Sequence, residues 1–217
     1  MTIGGMIGLG KTTVAELIAE NFGTKVFYES VKQEENPILP LFYTLSEKEL
    51  LEQRLPFLLQ LHFLHTRLES IREAKKNRFN VLDRSLAEDE YFTTINHKLG
   101  RINDLELKMY NQLKNTMIAD INELPYSKKP DLMVYLKASF DTVIHRISLR
   151  GRAFEQDEKL IDYYRTLWEG YDNWVLTEYK DSDILIIDMD KLDVVKNKED
   201  ADTVLEKVKM KINQISK

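Results

Sequence analysis

The sequence predicts an α/β fold, a five-stranded parallel sheet flanked by helices, built as one domain over residues 1–217. Three observations carry that expectation. Short, mostly apolar runs alternate along the chain with long amphipathic ones. A Gly-rich turn joins the first apolar run to the first helical one. No Pro/Gly/Ser-rich linker, repeat or low-complexity tract divides the 217 residues, a length that a single core can fill.

Taken in order, the candidate strands are Met1–Gly4, Lys25–Tyr28, Phe79–Asp83, Leu132–Leu136 and Ile184–Asp188. Each is short and mostly apolar, as strands buried on both faces are. After the Gly-rich turn, Thr13-Val14-Ala15-Glu16-Leu17-Ile18-Ala19-Glu20 places apolar residues at helical spacing. Ser46-Glu47-Lys48-Glu49 reads as a capping box before Leu50 and Leu51. Pro56 suits the first turn of a helix running to about Lys75. Asp104 to Asn122 and Leu160 to Tyr179 are long and amphipathic, and Asn197 caps a final acidic-basic helix.

Composition narrows the function classes. No stretch is apolar enough to span a bilayer, and no charged-then-apolar leader precedes the Gly-rich turn. The absence of cysteine excludes disulfides and thiolate metal sites and suits a reducing, cytoplasmic compartment. With 31 Lys and Arg against 36 Asp and Glu, the net charge of −5 argues against coating a nucleic acid. Positive charge for binding phosphates has to come from small clusters.

The Gly-rich turn is the first of these. Gly5-Met6-Ile7-Gly8-Leu9-Gly10-Lys11-Thr12 fits the phosphate-binding pattern GxxxxGK[ST] at every fixed position. A polyphosphate lies against consecutive backbone N–H groups, so the loop needs residues without a Cβ where it wraps the anion. Lys11 adds a point charge at the β- and γ-phosphates, and the Thr12 hydroxyl is placed to ligate Mg²⁺. The helix opening at Thr13 points its dipole at the same anion. Gly5 through Thr13 are therefore expected to bind the nucleotide.

Two strand-end carboxylates come next. Asp83 closes the run Phe79-Asn80-Val81-Leu82, at the sheet edge where ligands bind in open α/β folds. There it can hold Mg²⁺ with Thr12, or cap the following helix, a task open equally to Ser85. Arg84 puts a fixed charge beside it. Glu29 ends Lys25-Val26-Phe27-Tyr28 and is positioned to accept a proton from an attacking hydroxyl; a solvated loop acid is the plainer reading. Arg146, Arg150 and Arg152 form the third cluster, in Arg146-Ile147-Ser148-Leu149-Arg150-Gly151-Arg152. Arg146 and Arg150 share a helix face at a spacing that like charges disfavour. Their convergence is expected of a lid closing on ATP over residues 146–157, against a solvated basic helix end favoured by the dipole.

Together these residues resemble the deoxyribonucleoside kinase family, most closely its bacterial deoxyadenosine/deoxyguanosine kinase branch. The resemblance rests on Gly5–Thr12, Glu29 in Tyr28-Glu29-Ser30-Val31, Asn36-Pro37 followed by Tyr43, Gln60 and Arg67, Asp83-Arg84-Ser85, Asp89, and His145 to Arg152 with Glu155-Gln156. It implies a P-loop kinase fold with an Arg-rich lid, and a homodimer formed through the long helices. It also implies ATP with Mg²⁺, held by Thr12 and Asp83, and 5′-phosphorylation of a deoxyribonucleoside, deoxyadenosine first. Glu29 would act on the 5′-hydroxyl with Arg84 beside the same oxygen. Tyr43 and Glu155 would contact the 3′-hydroxyl. Gln60 would bond the base edge, with Arg67 and Asp89 as the pair reading exocyclic groups, and Phe57, Leu59 and Phe63 would be apolar walls. Lys11, Arg146, Arg150 and Arg152 would serve the transferring group, and Asp190, Lys191 and Leu192 would join the ATP site. Where relatives often carry aromatic residues around the base, this chain has Leu59 and Thr93, which leaves stacking to Phe92 or Phe63.

Two other readings share parts of the pattern. Asn197-Lys198-Glu199-Asp200 matches the guanine-reading NKxD of GTP-binding switch proteins. It opens the last helix instead of closing a strand, and Asp83 lacks the following Gly of a DxxG switch. A nucleoside-monophosphate kinase shares the loop and lid, but its anionic acceptor calls for more arginines and less for a base such as Glu29.

Overall fold

The computed structural model describes residues 1–215 apart from 33, 78 and 123–128. Among the described residues, one five-stranded sheet is formed by β1 (Thr2–Gly5), β2 (Val26–Phe27), β3 (Val81–Asp83), β4 (Leu132–Lys137) and β5 (Asp183–Asp188). Its order is β2-β3-β1-β4-β5, and every pairing is parallel. Ile3 in the central strand faces Asp83 on one side and Val134 on the other.

All five expected strands form, and their ends differ for local reasons. β3 starts at Val81 because Phe79 takes a left-handed backbone (φ 68) and the Asn80 side chain is spent on Lys25 N (3.0 Å) and Ala74 O (2.9 Å). β2 keeps two residues. Tyr28 turns outward, where its hydroxyl donates to Glu16 (3.1 Å).

Helix α1 (Lys11–Phe22) lies between two left-handed glycines, Gly10 (φ 82) and Gly23 (φ 63). A short α2 (Ile38–Thr44) follows Pro37, with Asn36 accepting from Leu39 N at 3.1 Å; the sequence reading assigned no helix there. In α3 (Glu47–Glu52) the Ser46/Glu49 capping box is realised, and Pro56 sits in the first turn of α4 (Leu55–Ala74). Ser85, not Asp83, caps α5 (Leu86–Lys98), with Glu88 completing the box. Helix α6 (Asp104–Asn122) has the expected bounds, and α7 (Phe140–Arg150) stops at left-handed Gly151. The stretch expected as one helix from Leu160 is α8 (Ile161–Asn173) running on as a wider turn over Trp174–Glu178. Helix α9 (Lys198–Ile215) is capped by Asn197, which accepts from Glu199 N at 2.9 Å.

The main core lies around the sheet, with Ile3, Val14, Ile18, Val81, Val134, Val143, Leu167, Val204 and Val208 all buried. A smaller cluster of Leu64, Leu68 and Tyr110 joins α4 to α6, and Phe57 packs there. That corrects its expected place as a wall of the base site. No helix among the described residues is long and apolar enough to cross a membrane.

Candidate active site

The sheet order makes the site. β1 has β3 on one side and β4 on the other, so the connections diverge above its C-terminal end and leave a crevice there. A cavity of about 900 Å³ occupies it, at the upper end of the range for small-molecule sites, roughly 300–1,000 Å³.

The phosphate loop forms its floor. Ile7, Gly8, Gly10, Lys11, Thr12 and Thr13 line the cavity. Gly5, Met6 and Leu9 do not: Met6 and Leu9 are buried in the core, and the Gly5 N–H donates to Glu88 (3.1 Å) and lies as close to the Tyr171 hydroxyl. The glycines are required where expected. A Cβ at Gly5 (φ 146) would stand 2.7 Å from Leu136 O, and one at Gly8 (φ 83) 2.9 Å from Ile147 Cγ1. Lys11 donates to Met6 O at 2.9 Å, and Thr12 Oγ1 donates to Asp83 Oδ2 at 2.5 Å.

The strand ends supply a second wall of the cavity. Glu29, after β2, lies 2.7 Å from Arg84 Nε and 3.7 Å from Arg67. Arg67, on α4, bonds Asp89 of α5 at 3.0 Å and the Asp83 carbonyl at 2.6 Å. The expected Arg67–Asp89 pair is thus present, but only Asp89 of the two lines the cavity, beside Gln60, Leu59, Phe63 and Phe92. Arg67 lies behind it. Arg84 carries a left-handed backbone (φ 81), and its guanidinium sits 4.7 Å over the Phe92 ring. Tyr43 lines the cavity and stacks on Phe154 (5.8 Å).

The three arginines expected of the lid divide. Arg150 and Arg152 both reach Glu155, at 3.6 and 3.3 Å. Arg146 also lines the cavity but donates to the carbonyls of Met189 (2.8 Å), Leu192 (2.8 Å) and Leu9 (3.5 Å). It ties the phosphate loop to the segment after β5. That segment brings Asp190, Lys191 and Leu192 to the cavity wall, although Asp190 also accepts from Ser139 N (2.9 Å) and Lys191 pairs with Asp188 (2.7 Å).

Sequence reasoning missed Glu88 and Tyr171. The Ser85-x-x-Glu88 spacing was a legible cap signal, whereas nothing local marks Tyr171. The guanine-reading alternative fails on geometry, because Asn197 is the cap of α9 and Asp200 accepts from Asp193 N at 2.7 Å.

A family model described as deoxynucleoside kinase matches residues 1–213. The chain belongs to that family. This kinase is 39% identical over 220 residues to a deoxyguanosine kinase of Lactobacillus acidophilus, covering 100% of this chain and 92% of the relative. It is 38% identical to a deoxyadenosine kinase of the same organism, covering 99% and 97%. The structure of deoxyadenosine kinase from M. mycoides with bound dATP matches with a TM-score of 0.74 at 28% identity, covering 98% of each chain. Its dCTP complex matches at 0.73 and 26%, covering 99% of this chain and 100% of that one.

Burial and charge set the protonation of the kinase site. Burial first, and then the neighbouring Arg84 charge, bring Lys11 down to about 8, so phosphate oxygens would restore a charge it holds loosely. Burial works to raise Glu29, but Arg84, Arg67, Lys11 and Arg150 outweigh it and hold the carboxyl below its usual range. Burial raises Asp83 against the pull of Lys11. Burial also lifts Asp89 to about 6 despite Arg67 beside it.

Proposed function

We propose that this kinase moves the γ-phosphoryl group of ATP to the 5′-hydroxyl of a purine deoxynucleoside in the cytoplasm, deoxyadenosine ahead of deoxyguanosine and deoxycytidine. One observation carries the reading. Among the described residues, Asp83 Oδ1 and Glu155 Oε2 are buried without a hydrogen-bond partner, and both residues line the same cavity. Folded proteins satisfy buried polar atoms, so these two await groups from a ligand. Arg84, paired with Glu29 through Nε, lies beside the 5′-oxygen, while Glu155 Oε2 accepts from the 3′-hydroxyl, with Tyr43 closing that side.

Thr12 and Asp83 fit Mg²⁺, being hard oxygen donors with Asp83 Oδ1 still unpartnered. Bound there with phosphate oxygens, the ion would neutralise charge on the β- and γ-phosphates. Glu29, kept ionised by its arginines, orients the 5′-hydroxyl and takes its proton as the phosphoryl group leaves ATP. Lys11, Arg150 and Arg152 stabilise charge on the transferring group, and Arg146 holds the donor segment against the loop.

For the base, Gln60 and Asp89 offer acceptors to exocyclic amines and Phe92 and Phe63 offer faces. The deoxyguanosine and deoxyadenosine kinases among the relatives support a purine. A monophosphate acceptor would meet Glu29, Asp89 and Glu155, a repulsive set for a second anion. The homodimer is supported by α6, which exposes Leu105, Met109 and Leu113 on one stripe, whereas α8 buries Tyr164, Leu167 and Tyr171 in its own core. Sedimentation equilibrium should then return twice 25.5 kDa. The deciding experiment is a steady-state panel of four deoxynucleosides and dAMP with ATP and Mg²⁺. Deoxyadenosine should lead; efficient use of thymidine or dAMP would overturn the pocket assignment.

A further inference from the structure

Glu88 is fully buried and outside the cavity, yet it gathers donors from three elements. Its Oε2 accepts from Ser85 N (2.8 Å) and Ser85 Oγ (3.1 Å), which is all that the cap of α5 requires. The other oxygen, Oε1, accepts from Gly5 N (3.1 Å), Arg84 Nη1 (3.3 Å) and the Tyr171 hydroxyl. A helix cap needs none of these. A buried carboxylate is costly unless charge and hydrogen bonds surround it, and here they join the start of the phosphate loop, the end of β3 and the helix that follows the lid.

We infer that Glu88 is a positioning residue for phosphoryl transfer: it holds the Nη1 edge of Arg84 so that the Nε edge keeps Glu29 aimed at the attacking hydroxyl. The guanidinium is a planar fork held at both ends, by Glu29 at 2.7 Å and Glu88 at 3.3 Å. With Glu88 neutralised, Arg84 keeps Glu29 as its only carboxylate partner among the described residues. Released at its Nη1 edge, it would shift on Glu29 and draw that carboxylate away from the hydroxyl it serves. The left-handed backbone of Arg84 (φ 81) marks a residue whose placement the surroundings enforce.

The inference rests on Arg84 meeting the 5′-oxygen, and a double-mutant cycle separates the two. Glu88→Gln keeps the volume and removes the charge. It should lower kcat by roughly 10- to 100-fold, the scale of a misplaced catalytic group, with deoxyadenosine and ATP KM within about threefold. In an Arg84→Ala background the same substitution should cost nothing further, because its effect passes through Arg84. Tyr171→Phe removes one donor, leaves the ring stacked on Tyr135, and should give the same pattern at smaller amplitude. It takes Glu88→Gln's place in the cycle if that variant does not fold. Wild-type kcat in a folded Glu88→Gln, or in Tyr171→Phe where it stands in, overturns the inference, as does an undiminished loss in the Arg84→Ala background. Wild-type kcat for Arg84→Ala itself overturns the reading beneath it and the inference with it.

Discussion

The two sides of the cavity handle positive charge differently. On the acceptor side, Arg67 and Arg84 have side chains only 2% and 5% exposed, each fixed between carboxylates of Glu29, Asp89 and Glu88. On the donor side, Arg150 and Arg152 are 32% and 27% exposed and share the single carboxylate of Glu155. The acceptor side is a finished, nearly neutral socket whose geometry precedes the substrate. The donor side keeps cationic charge loosely parked, free to be drawn onto a polyphosphate. On the proposed function, one rigid and one adjustable half would let the site choose its nucleoside by shape and assemble its charge stabilisation when ATP is seated.

The sharpest way to break this contrast is Glu29→Gln, expected to lower kcat by roughly 10²–10⁴-fold with little change in nucleoside KM. Single-turnover rates would show it, and a near-wild-type value would leave Glu29 a loop acid. On the adjustable side, Arg150→Ala and Arg152→Ala should each cost up to about 10²-fold in kcat, leaving deoxynucleoside affinity almost untouched. Loss of nucleoside affinity at unchanged kcat would make that half structural. Asp89→Ala should lower kcat/KM for deoxyadenosine by about 1–3 kcal/mol and narrow the gap to thymidine. The pH profile sharpens this. Asp89 is raised to about 6, and its ionised form is the acceptor, so kcat/KM should fall as pH drops through that value. The acid limb should vanish in Asp89→Asn. Smallest of all, Asn197→Ala removes the α9 cap and should cost about 1 kcal/mol of stability, read as a lower Tm, with phosphate-donor preference unmoved.

Much of the rigid half was legible because its parts sit where local patterns end. An apolar run stops at Asp83, another at Glu29, and a Gly-rich turn opens α1. What stayed hidden depended on packing between distant segments. Tyr171 reaches Gly5 and Glu88 only after α8 folds against the sheet. The Gly5 N–H is spent on Glu88, although the loop pattern counts that glycine among the phosphate binders. Spacing put Arg146 on one face with Arg150, and only the path of residues 189–192 shows that it also bonds their carbonyls. Helix α2 was not assigned from the sequence; it is short, and its Pro40 lies in the first turn, where a missing N–H costs nothing.

The strand order also has a consequence for how the enzyme comes into being on the ribosome. β1 leads β3 and β4 in the chain but lies between them, with Thr2 pairing Leu82 on one side and Met133 on the other. Glu29, Arg67, Arg84 and Asp89 all precede β4 in the chain. The phosphate loop lacks its second wall until β4 has emerged, since Leu136 is what Gly5 closes against. Pairings this far apart in sequence are slow to close. The loop proposed to hold nucleotide phosphates thus precedes β4 in the chain and is completed only when β4 pairs with β1.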